Sequence, residues 1–279
     1  MDALVTTEWL AEQLGAADLR IIDATYFLAG SGRDARGEYE EAHIPGAVFL
    51  DLKSIADPDS ALPNMVPPPH LFASRIRALG VDDESRIVVY DNSPLHSASR
   101  VWWLLRHFGA GQVAVLDGGL TKWRAENRPL EAGMPQVRPG HFTPQPRGTE
   151  IADKGFMLSN LGKSTHQVLD ARSAARFAGG GPDAHGINGG HIPGSANLPQ
   201  ERLFNADNSM KRGAALQAEF DAAGVNLDKP LVATCGSGVT ACTLLLGAVL
   251  LGKEGALLYD GSWSEWGADP ATPKVSDSG

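Results

Sequence analysis

The chain carries the same pattern twice, and that duplication limits its folds more than any other feature. His43-Ile44-Pro45-Gly46-Ala47 returns as His191-Ile192-Pro193-Gly194-Ser195, and Leu19-Arg20-Ile21-Ile22-Asp23-Ala24 returns as His166-Gln167-Val168-Leu169-Asp170-Ala171. Arg86-Ile87-Val88-Val89-Tyr90-Asp91 returns as Pro230-Leu231-Val232-Ala233-Thr234-Cys235. Asp117-Gly118-Gly119 with Trp123 returns as Asp260-Gly261-Ser262 with Trp266. Matches that recur in one order mark an internal duplication. Each copy alternates short apolar runs with helical segments, which implies a parallel sheet covered on both faces by helices. The expected class is α/β, with two tandem domains of one design. The expected boundaries are 1–130 and 151–279, separated by 131–150. That middle stretch holds Pro135, Pro139, Pro144 and Pro146 and little apolar periodicity, as in a semi-rigid linker.

Composition narrows the partners. The 279 residues carry a formal net charge of −9, which disfavours nucleic acid or an anionic membrane as the main partner. The longest apolar stretch, 241–251, is too short to span a bilayer. The start Met1-Asp2-Ala3-Leu4-Val5 lacks the basic and apolar regions of a signal peptide. The two cysteines, Cys235 and Cys242, fit neither a disulfide framework nor a zinc pattern. A reducing, cytoplasmic setting is the expectation. Nothing in the motifs implies a metal or nucleotide cofactor.

Differences between the copies point to the chemistry. Features shared by both, such as His43 with His191 and Asp23 with Asp170, read as scaffold. Cys235 has no counterpart: the first copy has Asp91, followed by Asn92-Ser93-Pro94, so that half is expected to be catalytically silent. Cys235 ends the strand-like run 230–234. Gly236-Ser237-Gly238-Val239-Thr240 and the apolar helix 241–251 follow it. A cysteine in a glycine-rich turn before a helix faces backbone N–H groups and the positive end of a helix dipole, a setting that favours an anion. The thiolate is the nucleophilic form of the residue. Arg172 and Arg176 follow the strand ending at Asp170, where the first copy has Thr25 at the Arg172 position. A glycine-rich insertion, 179–190, precedes His191. Cations and an added loop beside a thiolate suggest a pocket for a small anion. Cys242 reads as core.

Three other classes compete. A cysteine phosphatase needs an arginine six residues after its nucleophile to hold phosphate oxygens, and Ala241 stands there. The run Gly236-Ser237-Gly238-Val239-Thr240-Ala241 fits a dinucleotide-binding expression, with Asp260 ending the next strand. Too little chain follows Asp260 to complete such a fold. A non-enzymatic carrier or binding module, in which Cys235 is modified but turns over little, also stays open on the motif.

The duplicated His-Ile-Pro-Gly, the cysteine loop in the second half and Asp260-Gly261-Ser262-Trp263-Ser264-Glu265-Trp266 together resemble the two-domain rhodanese family of sulfurtransferases. The resemblance extends through Gly32-Arg33-Asp34-Ala35-Arg36 and Ser97-Ala98-Ser99-Arg100-Val101-Trp102-Trp103. It implies that Cys235 takes a sulfane sulfur as a persulfide and passes it to cyanide, a thiol or thioredoxin. Cys235-Gly236-Ser237-Gly238-Val239-Thr240 is similar to the loop of the branch that uses 3-mercaptopyruvate and releases pyruvate; the thiosulfate branch is the alternative. By the same resemblance Cys235 and Ser237 are catalytic. Arg176, Gly236, Gly238, Val239, Thr240 and Arg172 are substrate-binding, with Arg176 holding the carboxylate and Arg172 also bracing the loop. The chain departs from the pattern at Ala184, beside His185, where the family often has an arginine. It also has Asn64 and Lys53 in place of a histidine and an acid that complete a Cys-Ser-His-Asp relay.

Overall fold

The computed structural model describes residues 1–180 and 186–277, which form two compact units. The first comprises Met1–Pro58, Val66–Arg147 and Asn205–Met210; the second comprises Asp59–Met65, Gly148–Phe204 and Lys211–Gly279. Each unit therefore contains a short segment whose sequence neighbours belong to the other.

In the first unit the elements follow as β1 (Leu4–Val5), α1 (Thr7–Gln13), β2 (Leu19–Asp23), α2 (Ala35–Glu41), β3 (Ala47–Phe49), α3 (Pro69–Ala78), β4 (Arg86–Tyr90), α4 (Ala98–His107), β5 (Gln112–Leu116) and α5 (Gly119–Ala125). The strands make one parallel sheet in the order β1-β5-β4-β2-β3. β-branched runs such as Ile87-Val88-Val89 suit central strands covered on both faces. Leu10, Ile21, Tyr39, Ile44, Val88, Leu116 and Trp123 form a core on one face.

The second unit repeats the plan with β6 (Ile151–Ala152), α6 (Lys154–Lys163), β7 (Gln167–Asp170), α7 (Ala174–Ala178), β8 (Ala196–Asn197), α8 (Gly213–Ala222), β9 (Leu231–Thr234), α9 (Ala241–Leu250), β10 (Leu257–Tyr259) and α10 (Ser262–Trp266). Its parallel sheet has the order β6-β10-β9-β7-β8. Met157, Val168, Ile192, Val232, Tyr259, Trp263 and Trp266 fill the matching core. Even the caps correspond. Thr6 accepts the Trp9 N–H at the start of α1, and Asp153 accepts the Phe156 N–H at the start of α6. α9 is apolar all round and buried from Ala241 to Ala248, as a helix enclosed between layers must be. Among the described residues no helix is long and apolar enough to cross a membrane.

The two histidines of the repeat act as scaffold in the same manner. The His43 ring bonds the Tyr39 carbonyl and stacks on the Tyr39 ring. The His191 ring bonds the Phe177 carbonyl and stacks on Phe177. The proline-rich stretch is not a free linker over most of its length. Glu131 bridges to His43, Gly140 N–H donates to Arg77 O, Gln145 N–H donates to Phe108 O, and the Phe142 ring is buried. Residues 131–147 are thus a strap tied onto the first unit. The linker expectation came from composition, which reports the lack of periodicity but not the backbone partners.

Candidate active site

The register of the second sheet fixes where the candidate residues emerge. Asp170 at the end of β7 pairs with Thr234 at the end of β9, and Ala233 pairs with Leu258 of β10. The chain therefore leaves all three strands at the same, carboxyl end of the sheet. From β7 it runs to β8 on one side, and from β9 to β10 on the other. Open α/β sheets form a crevice at such a switch point, beyond the carboxyl ends of the strands. Cys235 follows β9 at that point, and Ala171, Arg172 and α7 follow β7. The strand and helix expected on either side of Cys235 are both present.

The turn itself is held by the segment after β10. The Cys235 carbonyl accepts the Trp263 N–H at 3.0 Å, and the Gly236 carbonyl accepts both the N–H and the hydroxyl of Ser264, at 2.9 and 2.7 Å. Ser262 Oγ accepts the N–H groups of Cys235 and Gly238, both at 3.2 Å, and lies 4.0 Å from the Cys235 sulfur. Gly238 takes φ +77°, a left-handed conformation that glycine adopts without steric cost. Among the described residues, the amides of Gly236, Ser237, Val239 and Thr240 donate to no protein group. α9 begins directly after them, so its N-terminal partial charge adds to theirs. Cys235 is 1% exposed and Ser237 6%. Free amides around a buried sulfur form a cradle for an anion that needs no metal and no charged side chain.

The two arginines divide their work. Arg172 is buried; it pairs with Asp170 at 2.7 Å, donates to the Gly190 carbonyl at 2.6 Å and lies over the Trp263 ring at 4.4 Å. These bonds make it a brace for the loop before His191. Arg176 is half-buried on α7, and its carbonyl anchors the Gly190 N–H at 3.1 Å. Trp263 adds a third tie to that loop through its Nε1–H, donated to Asn188 O. Ala184 and His185 lie outside the described residues. Cys242 is fully buried in α9, where its thiol donates to the Gly238 carbonyl.

The rhodanese-like domain family matches residues 6–126 and 156–269, once per unit. The chain belongs to that family. The rat 3-mercaptopyruvate sulfurtransferase is 43% identical over 271 residues, covering 95% of this chain and 91% of that protein. The bovine thiosulfate sulfurtransferase is 40% identical over 272 residues, again covering 95% and 91%. The crystal structure of SseA, a 3-mercaptopyruvate sulfotransferase from Escherichia coli, superposes with a TM-score of 0.87 at 38% identity. It covers 95% of this chain and all of that one. The dinucleotide reading has no place in this topology, because β10 completes the five-stranded sheet.

In the first rhodanese unit Asp91 stands where the second has Cys235. Its carboxylate oxygens accept the N–H groups of Ser93 at 2.9 Å and Ala98 at 2.7 Å, so it caps α4. Burial outweighs these bonds and raises its pKa to about 7. Its carbonyl accepts the Leu120 N–H, as the Cys235 carbonyl accepts that of Trp263. Two residues of the second rhodanese unit find their partners only in three dimensions. Ser262 stands where the repeat has Gly119, and that difference was the available signal. Asn64 arrives with the segment Asp59–Met65 and donates from Nδ2 to Ser237 Oγ at 3.0 Å.

Proposed function

We propose that this chain moves sulfur from 3-mercaptopyruvate to a thiophilic acceptor by way of Cys235. The observation that carries the reading is the buried Cys235 sulfur in a turn where the amides of Gly236, Ser237, Val239 and Thr240 donate to no described protein group. The Cys235 thiolate attacks the donor sulfur, so that an S–S bond forms and the C–S bond of mercaptopyruvate breaks. The bonding pair stays on the carbon as the enolate of pyruvate. The proton of the donor thiol ends on that carbon, leaving a Cys235 persulfide anion in the cradle. Fixed N–H dipoles stabilise such charge without reorganising. An acceptor thiolate, from a small thiol or thioredoxin, or cyanide then attacks the outer sulfur and returns Cys235 as thiolate.

The residues around the turn support the donor assignment. Gly236 and Ser237 give the loop no formal charge, so a thiosulfate dianion meets no flanking cations there. Mercaptopyruvate has one carboxylate, which we assign to Arg176, and a ketone, which we assign to Ser237 and the loop amides. Gly236, Gly238, Val239 and Thr240 act through their backbones, and Arg172 acts by bracing. The first unit, with Asp91 at the nucleophile position, transfers no sulfur. We place the protein in the cytoplasm, where a reducing poise keeps both thiols free. Thiosulfate is the second reading, favoured by the similarity to the bovine thiosulfate enzyme.

Mass spectrometry after each donor tests the carrier step: one added sulfur should map to Cys235. Steady-state kinetics with both donors test the choice, with the higher kcat/KM expected for mercaptopyruvate. A higher value for thiosulfate would move the chain to the other branch. Labelled Cys235 without steady-state pyruvate release would make it a carrier instead of an enzyme.

A further inference from the structure

The bond from Asn64 to Ser237 joins residues that are 173 positions apart in sequence, and both are buried, at 8% and 6% exposure. Asn64 sits at φ +59°. Asparagine and histidine are among the few non-glycine residues enriched in that left-handed region. The segment that carries it, Asp59–Met65, packs with the second unit although the chain on either side of it belongs to the first. A strained backbone position and a detour of the chain thus converge on one hydroxyl, two residues from the nucleophile.

The direction of this bond matters. The amide nitrogen of Asn64 can only donate, so Ser237 Oγ accepts and its single hydrogen is directed elsewhere. A hydroxyl that accepts a hydrogen bond is polarised into a better donor. We propose that Asn64 is a positioning residue for sulfur transfer: it holds Ser237 as a hydrogen-bond donor to the ketone oxygen of a 2-oxo thiol donor. This rests on the proposed reading of Cys235 and mercaptopyruvate. As the C–S bond breaks, its electron pair becomes the enolate and negative charge grows on that oxygen. A donor already aimed at it stabilises the transition state more than the ground state, so the interaction raises kcat more than it lowers KM. Asn64 touches neither substrate nor sulfur in this scheme and acts only through Ser237. The amide does not ionise, so the orientation is set without a titrating neighbour at this position.

Four variants of the full chain test the assignment with mercaptopyruvate. Asn64→Ala should lower kcat about tenfold, the loss of one hydrogen bond in the transition state, with KM within about twofold. Ser237→Ala should lose at least as much, and the double variant should be no slower than Ser237→Ala alone, because the two residues act in series. Asn64→Asp, whose ionised carboxylate can only accept, should turn the Ser237 hydrogen toward itself and be as slow as Asn64→Ala. Asn64→His, which keeps a donor and tolerates the backbone, should recover activity to within about threefold of wild type. Circular dichroism checks that each variant is folded, and a variant that fails to fold is replaced in the comparison by Asn64→His against Asn64→Asp. Additive losses in the double variant, an Asp variant as fast as wild type, or a loss confined to KM would each overturn the inference. A wild-type chain that releases no pyruvate from mercaptopyruvate overturns the functional reading itself. An active wild type with an unaffected Asn64→Ala overturns only this role.

Discussion

Ser262 Oγ ties Cys235 to Gly238: it accepts the N–H of each at 3.2 Å and donates to the Tyr259 carbonyl at 2.8 Å. The residue holds this post at φ +50°, whereas Gly119 occupies the equivalent place in the first unit at φ +56°. A left-handed non-glycine residue costs about 1–2 kcal/mol, so the hydroxyl is retained against a backbone penalty that glycine would avoid. In the first unit there is no cysteine turn to hold, and glycine serves.

This contrast sets an unusual order of variants. Ser262→Gly should be more stable than Ser262→Ala by about 1 kcal/mol, since only alanine keeps the strained backbone. Both should lose sulfur transfer by about tenfold or more, because two turn amides lose their acceptor. Urea denaturation and initial rates on the two variants check the order. Equal activity in wild type and Ser262→Gly would remove Ser262 from the site.

The two arginines should fail differently. Arg172→Ala leaves the Asp170 carboxylate buried without its ion pair, a change that costs about 3–5 kcal/mol, and a large fall in Tm is expected. Arg176→Ala should change Tm little and lower kcat/KM by about one to two orders of magnitude, the worth of a charged hydrogen bond to substrate. Thermal melts and kinetics on the same preparations separate the roles.

The two cysteines are equally distinct. Cys235→Ser should abolish persulfide formation and turnover. Cys242→Ser keeps a small donor for the Gly238 carbonyl and should hold kcat/KM within about threefold of wild type. A dead Cys242→Ser beside an active Cys235→Ser would reverse the assignment of the nucleophile.

Asp91 predicts a pH effect on stability. Its folded pKa, raised by burial to about 7, exceeds the usual carboxylate value of about 3.9 in an unfolded chain. Between those values the folded state binds more proton than the unfolded one, so this group's contribution is full in acid and falls as pH rises toward 7. Above pH 7 it should level off. The stability of Asp91→Asn relative to wild type should therefore be greater at pH 8 than at pH 5. Melting curves of the pair across that range measure it, and a flat difference would show that the carboxylate is ionised throughout.

Much of this architecture could be read from residues alone, because repetition and periodicity are local properties. The paired His-Ile-Pro-Gly segments and the apolar runs around them imply two parallel-sheet units, and the step from β9 through glycines to α9 locates Cys235 at the carboxyl end of a strand. What the sequence could not supply depends on contacts between distant positions and on backbone angles. The strap 131–147 looks like a linker until Gly140 and Gln145 find carbonyls on the first unit. The bracing expected of Arg172 has no named partners until Asp170 and Gly190 engage it. Motif resemblance marks the positions of Ser262 and Asn64 but not their partners; a left-handed φ and a side-chain bond across the fold give each its place beside the turn. Hydrophobic patterning chooses elements because burial is nondirectional and repeats with the helix or strand period. Hydrogen bonds are directional and reach only about 3 Å, so their partners are decided when the tertiary structure brings remote residues together.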